Sequence, residues 1–391
     1  MDNSEKKIGG ENFYERMIKK KIHIYASVII VFFMLSAGLG FVVYNMIAHG
    51  HPFGAKKEAA EPSADLVALS VQMAGQETPE ADETPHTDLV RRAIDGVYVK
   101  PGEENRFPAA VMIDNNIYAR PHSGLSRANV VYEAEVEGSA TRYMAVFAGN
   151  EEIDEIGPVR SARAYFVDWV LELSALYVHV GGSPEALVNI KRDKVRDFNE
   201  FYNGNFFWRD WNRRAPHNVY TSSSKLAEYT TARSWAEGGF SSWQFKDEAG
   251  EADRGPDGGD IDIKFLIPSY RVRWKYDRTD NSYIRYLGGA AHIDKSGDGI
   301  KAKNIVIQYV KARVIDNELR LSMDDIGEGE AVLCFDGFCR KSTWQKKEAS
   351  ERTRFYDENG NEAVFNAGTT WVEVVRPGII EVGLPEQTDG E

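Results

Sequence analysis

The 391-residue chain carries 47 Lys plus Arg against 60 Asp plus Glu, a formal net charge of −13, with 42% hydrophobic, 12% aromatic and 27% charged residues. That much apolar material excludes a generally disordered chain and suffices for two or three domains. The acidic excess repels a phosphate backbone at long range, so no nucleic acid partner is expected, while a local basic pocket for a small anion stays open.

Residues 1–21 hold six Lys or Arg and four Asp or Glu, with Lys19, Lys20 and Lys21 abutting a hydrophobic run. From Ile22 to Tyr44 there is no charged residue apart from a charge on His23 when protonated, and 23 residues at helical rise span a bilayer with some tilt. The spacing predicts a single transmembrane helix at 22–44 with the amino terminus cytoplasmic, by the positive-inside rule, and the rest of the chain extracytoplasmic. A cleaved signal peptide is the competing reading, with Ser36-Ala37-Gly38 as small residues near the end of the run; the length of the run and of its leader favours a retained signal anchor. From 45 to 89 the composition turns to Ala, Glu, Pro, Thr and Asp, which predicts a flexible, self-repelling acidic tether.

The first folded region is expected over 90–250. AAVMIDN reads as a buried strand, VVYEAEVEG as a strand with Val131, Glu133, Glu135 and Glu137 on one side, and TRYMAVFAG as another. After Gly157-Pro158, the residues Ala162, Tyr165, Phe166, Trp169, Val170 and Leu173 form an apolar helical stripe, with Ser161 as a candidate N-cap. ALYVHV follows as a strand, Gly181-Gly182 as a turn, and Ser183-Pro184 as the cap and first position of a second helix.

The Gly- and Asp-rich stretch 251–260 reads as a linker, and 261–382 as a region mostly of strands, followed by a tail at 383–391. Within it, LCFDGFC places Asp336-Gly337 at a two-residue hairpin turn, so that Phe335 faces Phe338 and Cys334 faces Cys339. A Cys334–Cys339 disulfide then fits an oxidising compartment, and two free thiols in a strand are the alternative. The fold class expected is α+β: two different α+β subdomains, the second β-rich, after a transmembrane helix and a disordered tether.

Read together, RPHSGLSRANVVYEAEVEGSATRYMAVF, IGPVRSAR, HVGGSP and APHNVY, followed by KAKNIVIQYV and GTTWVEVV, resemble the YerB-like family of bacterial envelope lipoproteins. The resemblance implies two α+β subdomains and a place on the outer side of a bacterial membrane; it supplies no reaction. This chain departs from the lipoprotein pattern in that no cysteine follows the hydrophobic run.

Candidate site residues concentrate between Arg120 and Arg163. Arg160, Ser161 and Arg163 sit where a loop enters a helix and are expected to receive an anion, with Arg120, His122 and Arg142 joining from neighbouring strands and His217 and Asn218 at the mouth. The alternative is that these arginines pair with Glu133, Glu135 and Asp168 to fix the register. Glu133 and Glu135, two residues apart on one strand face, are the candidate carboxylates for glycan cleavage or transfer, with His122 as a helper. No metal spacing, nucleophile elbow or other complete catalytic motif is present, so no metal or cofactor is expected. Between Phe198 and Tyr220 there are eight aromatics, beside Asn203, Asn205, Asn212, Arg209, Arg213 and Arg214; these suit sugar rings, or else pin the loop to the core. The expected partners are the membrane, through 22–44, and an anionic or glycan-containing envelope polymer, with an envelope-polymer enzyme or a scaffold for another envelope protein as alternatives. Mass spectrometry of the membrane-extracted protein is expected to find residues 22–44 retained, and a mature terminus just after Ser36 would show cleavage instead.

Overall fold

AAVMID and its neighbours become strands because their apolar runs can be buried on both faces at once. In the computed structural model, which describes residues 88–149 and 151–385, β1 (Ala109–Asp114), β2 (Val130–Glu135) and β3 (Thr141–Phe147) are buried along their whole length. The leader, the 22–44 span and nearly all of the tether lie outside the described residues. Among those described, no helix is long and apolar enough to cross a membrane.

The chain continues through α1 (Ala164–Glu172), β4 (Leu176–His179), α2 (Pro184–Arg192), β5 (Arg196–Asn199), the one-turn α3 (Glu200–Asn203) and α4 (Ser223–Thr231). The stripe Ala162, Tyr165, Phe166, Trp169, Val170 and Leu173 is buried as its spacing predicts. Ser183 caps α2, accepting from the Ala186 N–H at 3.2 Å with Pro184 in the first turn. Ser161, by contrast, caps nothing. Helix α1 starts at Ala164, the cap position is held by Arg163, and no side chain closes that end.

The carboxy-terminal half supplies β6 (Asp260–Lys264), β7 (Val272–Asp277), β8 (Ser282–Leu287), β9 (Asn304–Tyr309), β10 (Gly327–Phe335), β11 (Phe338–Lys346), β12 (Arg354–Tyr356), β13 (Thr370–Val375) and β14 (Glu381–Gly383). Asp336 and Gly337 both take positive φ, 54° and 79°, as a tight hairpin of the right twist requires. The register that follows sets Phe335 opposite Phe338 and Cys334 opposite Cys339, and the two cysteines are joined in a disulfide.

One mixed sheet of ten strands runs through both halves in the order β12-β11-β10-β9-β13-β2-β3-β1-β4-β5. The halves meet where β13 lies parallel to β2, with Glu373 beside Glu133. They therefore do not bury separate cores. One face of the sheet carries α1 and α2, with Tyr132, Met144, Val306 and Val372 packed against Phe166, Trp169 and Ile190. The other face packs Val111, Val131, Ile305 and Trp371 against the antiparallel second sheet, through Ile261, Ile263, Trp274 and Tyr283.

Buried charges cross the same boundary, and in each pair the acid comes from the amino-terminal half. Glu133 holds Arg285, both side chains being fully buried. Glu172 of α1 takes Lys346 and Arg352 at 2.7 Å each and also accepts from the Tyr132 hydroxyl at 2.6 Å. Glu135 receives Arg376 through two bonds of 2.6 and 2.8 Å. Glu373 completes the first cluster, accepting from Trp274 Nε1 at 2.8 Å while its other oxygen has no partner. Burial, and then the neighbouring Glu133, push its carboxyl well above the usual carboxylate range, against the pull of Arg285.

The arrangement fixes opposite outcomes for two similar substitutions. Glu133→Ala removes the hydrogen-bonded partner of the buried Arg285 guanidinium, leaving Glu373 at 3.9 Å as its remaining carboxylate, and is expected to cost about 3–5 kcal/mol. Glu373→Gln keeps a neutral acceptor for Trp274 and is expected to stay within about 1 kcal/mol of wild type. Urea unfolding of both variants separates them, and equal losses would refute the assignment.

Candidate functional site

At the carboxyl edge of the parallel strands β1, β4 and β5, the loops after each strand turn over the sheet, the position where ligands of open α/β sheets bind. Asp114, the last residue of β1, organises this edge. Its Oδ2 receives His217 Nδ1 at 2.6 Å and Arg160 Nε at 3.0 Å, and its Oδ1 receives the Asn116 N–H at 3.0 Å. Burial pushes the Asp114 carboxyl up, but the His217 hydrogen bond and the charges of Arg142 and Arg160 outweigh it and hold the group at about 2 instead of 3.8. The Arg120–Pro121, Gly157–Pro158 and Ala215–Pro216 bonds in the surrounding loops are cis.

Beneath Asp114 a chain of buried histidines reaches the Glu133–Arg285 pair. Arg285 can only donate, so its 2.8 Å contact makes His292 Nδ1 an acceptor. His292 Nε2 then donates to His122 Nδ1 at 2.9 Å, and His122 Nε2 donates to the Asp114 carbonyl at 2.9 Å. Both rings stay neutral: burial and then Arg120 bring His122 down to about 3, and burial and then Arg285 take His292 well below its usual range.

The structure divides the expected anion-site residues by depth. His122, Arg142 and Asn218 are buried and serve the scaffold. Arg142 donates to the Ser161 carbonyl at 2.7 Å and lies 3.7 Å from Glu137; burial, followed by the Arg163 charge, lowers it to about 10. Asn218 accepts from Arg209 at 3.1 Å and donates to the Arg213 carbonyl at 3.3 Å, pinning its loop. Arg120, Arg160, Ser161, Arg163 and His217 are partly exposed. Ser161 and Arg163 do not form the anion cradle expected of a loop entering a helix. They line a cleft of about 170 Å³ in which Glu137 and Glu318 balance Arg163 and Arg320, so the charge there is already neutralised. Arg163 itself is held by Glu137.

Glu133 and Glu135 fare no better as catalytic carboxylates, because both are buried and each is committed to an arginine of the other half. The alternative pairing expected for them also changes partner. Arg285 and Arg376, rather than Arg160 and Arg163, complete the ion pairs.

At this edge, Arg120 and Arg213 make no ion pair with a carboxylate. Arg120 donates only to the side chain and carbonyl of Asn115, at 3.2 and 2.9 Å, and lies over the Tyr270 ring. Arg213 donates only to the carbonyls of Tyr118 and Pro121, at 3.5 and 2.8 Å. Around them the aromatics divide. Phe198, Phe207 and Tyr220 enter the core, whereas Tyr118, Phe201, Tyr202 and Trp211 are 70, 66, 82 and 82% exposed. The segments that carry these four are linked: Arg213 ties the Trp211 loop to the Tyr118 and Pro121 carbonyls, and Arg209 ties the same loop to Glu200 of α3, the helix of Phe201 and Tyr202. Gly181, at φ +58°, lets the Phe201 ring lie where a Cβ would stand 2.9 Å from it. Among the described residues no group of three or more His, Cys, Asp or Glu is placed to hold a metal ion.

Residues 95–236 match the family described as "Protein of unknown function (DUF3048) N-terminal domain", and residues 261–372 match its C-terminal domain. The chain belongs to the DUF3048 family. A protein of Bacillus subtilis (strain 168) named "Putative lipoprotein YerB" is 29% identical over 308 residues, 76% of this chain and 89% of that protein. The crystal structure of the YerB protein from Bacillus subtilis aligns with a TM-score of 0.66 at 26% identity, covering 75% of this chain and 99% of that one. The resemblance carried by the sequence motifs is thus met in sequence and in fold, and the DUF3048 description names no activity.

Asp114 was missed from sequence, although an acid closing an uninterrupted apolar strand is a usable signal. Its depressed carboxyl contributes stability that is fully present above about pH 4 and lost as pH falls towards 2, on the order of 2 kcal/mol. Urea unfolding between pH 4 and pH 2 is expected to show that loss in wild type and a shallower one in Asp114→Asn; parallel slopes would contradict it.

Proposed function

We propose that the chain is a membrane-anchored, extracytoplasmic binding module for an anionic, glycan-containing polymer of the bacterial cell envelope. The observation that carries this reading is the pairing of Arg120 and Arg213, whose hydrogen bonds go only to neutral oxygens, with the exposed rings of Tyr118, Phe201, Tyr202 and Trp211. Guanidinium groups left without carboxylates in a protein of net charge −13 mark a local preference for an anion. Flat, exposed aromatic rings offer stacking faces to sugars. The lipoprotein named among the relatives supports an envelope location, and the hydrophobic run at 22–44 supplies the anchor where this chain has no adjacent cysteine.

A carboxylate-based glycan-cleaving enzyme draws no support from Glu133 and Glu135 in their buried pairs. The binding reading is tested by co-sedimentation of the full chain, in detergent, with purified cell-wall sacculi that carry or lack their anionic polymer. Retention is expected only with the polymer and is expected to weaken as salt rises. Arg213→Ala and Trp211→Ala are each expected to reduce affinity about tenfold, roughly 1.4 kcal/mol. Equal retention by stripped sacculi would defeat the proposal.

A further inference from the structure

Four histidines lie among the described residues, and three of them spend both ring nitrogens inside the protein. His122 and His292 belong to the chain beneath Asp114. His179 bonds the Gly181 carbonyl at 2.7 Å and Asp197 at 2.8 Å, and its ring is buried. His217 differs. Its Nδ1 is fixed by Asp114, its side chain reaches the surface, and its Nε2 has no hydrogen bond to any described residue. A carboxylate on one nitrogen sets the tautomer and orientation of the ring and leaves the other nitrogen for proton transfer. Asp114 is itself held by Arg160 and the Asn116 N–H, so the pair is rigid before a ligand arrives. The Tyr118 ring stands 6.1 Å from the imidazole, which places His217 on the aromatic and arginine surface rather than apart from it.

We propose that this surface is a phosphodiester hydrolase site, with His217 as the catalytic base and Asp114 as its positioning residue, acting on a polyol-phosphate or sugar-phosphate chain. The inference rests on the binding reading above and names its substrate class. Two guanidiniums without carboxylates suit the non-bridging oxygens of a diester. Glycosidic cleavage would need a free carboxylate pair, and the candidates do not supply one: Glu133 and Glu135 are buried, and Asp114 is occupied by His217 and Arg160. In the step, a water oxygen bonds to phosphorus as the P–O bond to the leaving alkoxide breaks. His217 Nε2 takes the water proton; the leaving alkoxide, on the opposite side of phosphorus, takes a proton from solvent, and the imidazolium then gives its own back to solvent. Diester plus water gives one phosphomonoester and one alcohol, with no other reactant.

The test incubates the full chain, in detergent, with poly(glycerol phosphate) bearing glucosyl substituents, counts new phosphomonoester ends by phosphorus NMR across a pH series, and measures binding of the same polymer in parallel. Wild type is expected to form monoester ends. His217→Gln is expected to lose at least about 100-fold in turnover while binding within about threefold of wild type. Asp114→Asn is expected to lower kcat more than it changes KM and to displace the pH profile, a result that a purely structural role would not produce. Binding by wild type without new ends overturns the catalytic inference and leaves the binding reading intact. Neither binding nor cleavage overturns both, and cleavage that persists in His217→Gln overturns the assignment to this histidine.

Discussion

A guanidinium cut off from water needs a carboxylate, and Arg285 finds its own 152 residues away, on Glu133. The same demand recurs on the helix face, where Lys346 and Arg352 converge on Glu172, and at the sheet edge, where Arg376 takes Glu135. Each acid belongs to the amino-terminal half and each base to the other. Apolar burial would tolerate a one-strand slip or a shifted angle between the halves at modest loss. Three buried carboxylates holding four cations, all of one polarity, do not, because a slip would leave several unpaired charges in the core at once. The parallel pairing of β2 with β13 is the backbone expression of that demand.

The site inherits its geometry from this junction. Asp114 stands on β1, but its carbonyl is held by His122, which leans on His292, which is held by Arg285. The orientation at the carboxyl edge therefore depends on residues of both halves. Depth then divides similar residue types by role. Arginines and histidines below the surface are paired and neutralised, whereas Arg120, Arg213 and His217 retain unsatisfied capacity where solvent reaches them.

Local features were legible in the sequence wherever the chemistry is local. The Asp336-Gly337 turn and the register that brings Cys334 to Cys339 follow from backbone twist, and the Ser183-Pro184 start of α2 follows from capping. Ser161 looked like an equally good cap, but the preceding chain stays extended and Arg163 is drawn to Glu137, so the helix begins later. The Arg120–Arg163 stretch showed its unusual mixture, yet the partners that decide the role of each member lie far along the chain, at Arg285, His292 and Arg376. No periodicity within a window reports such pairings. The aromatic segment 198–220 was legible as a cluster but not as two populations, because exposure is settled by which side of α3 and its following loop meets the core.

The shared sheet also bears on how the protein comes into being. Strand β2 stands between β3 and β13, and β13 occupies residues 370–375, among the last described residues of the chain. A chain emerging amino terminus first can form the β1–β2–β3 group early, but one side of β2, Val130–Ala134, then waits without a partner until almost everything else has appeared. An apolar strand edge in waiting is a template for the wrong partner. The late closing strand makes the protein dependent on the completeness of its own synthesis: a product cut short before β13 lacks a local segment and also exposes the middle of its own sheet.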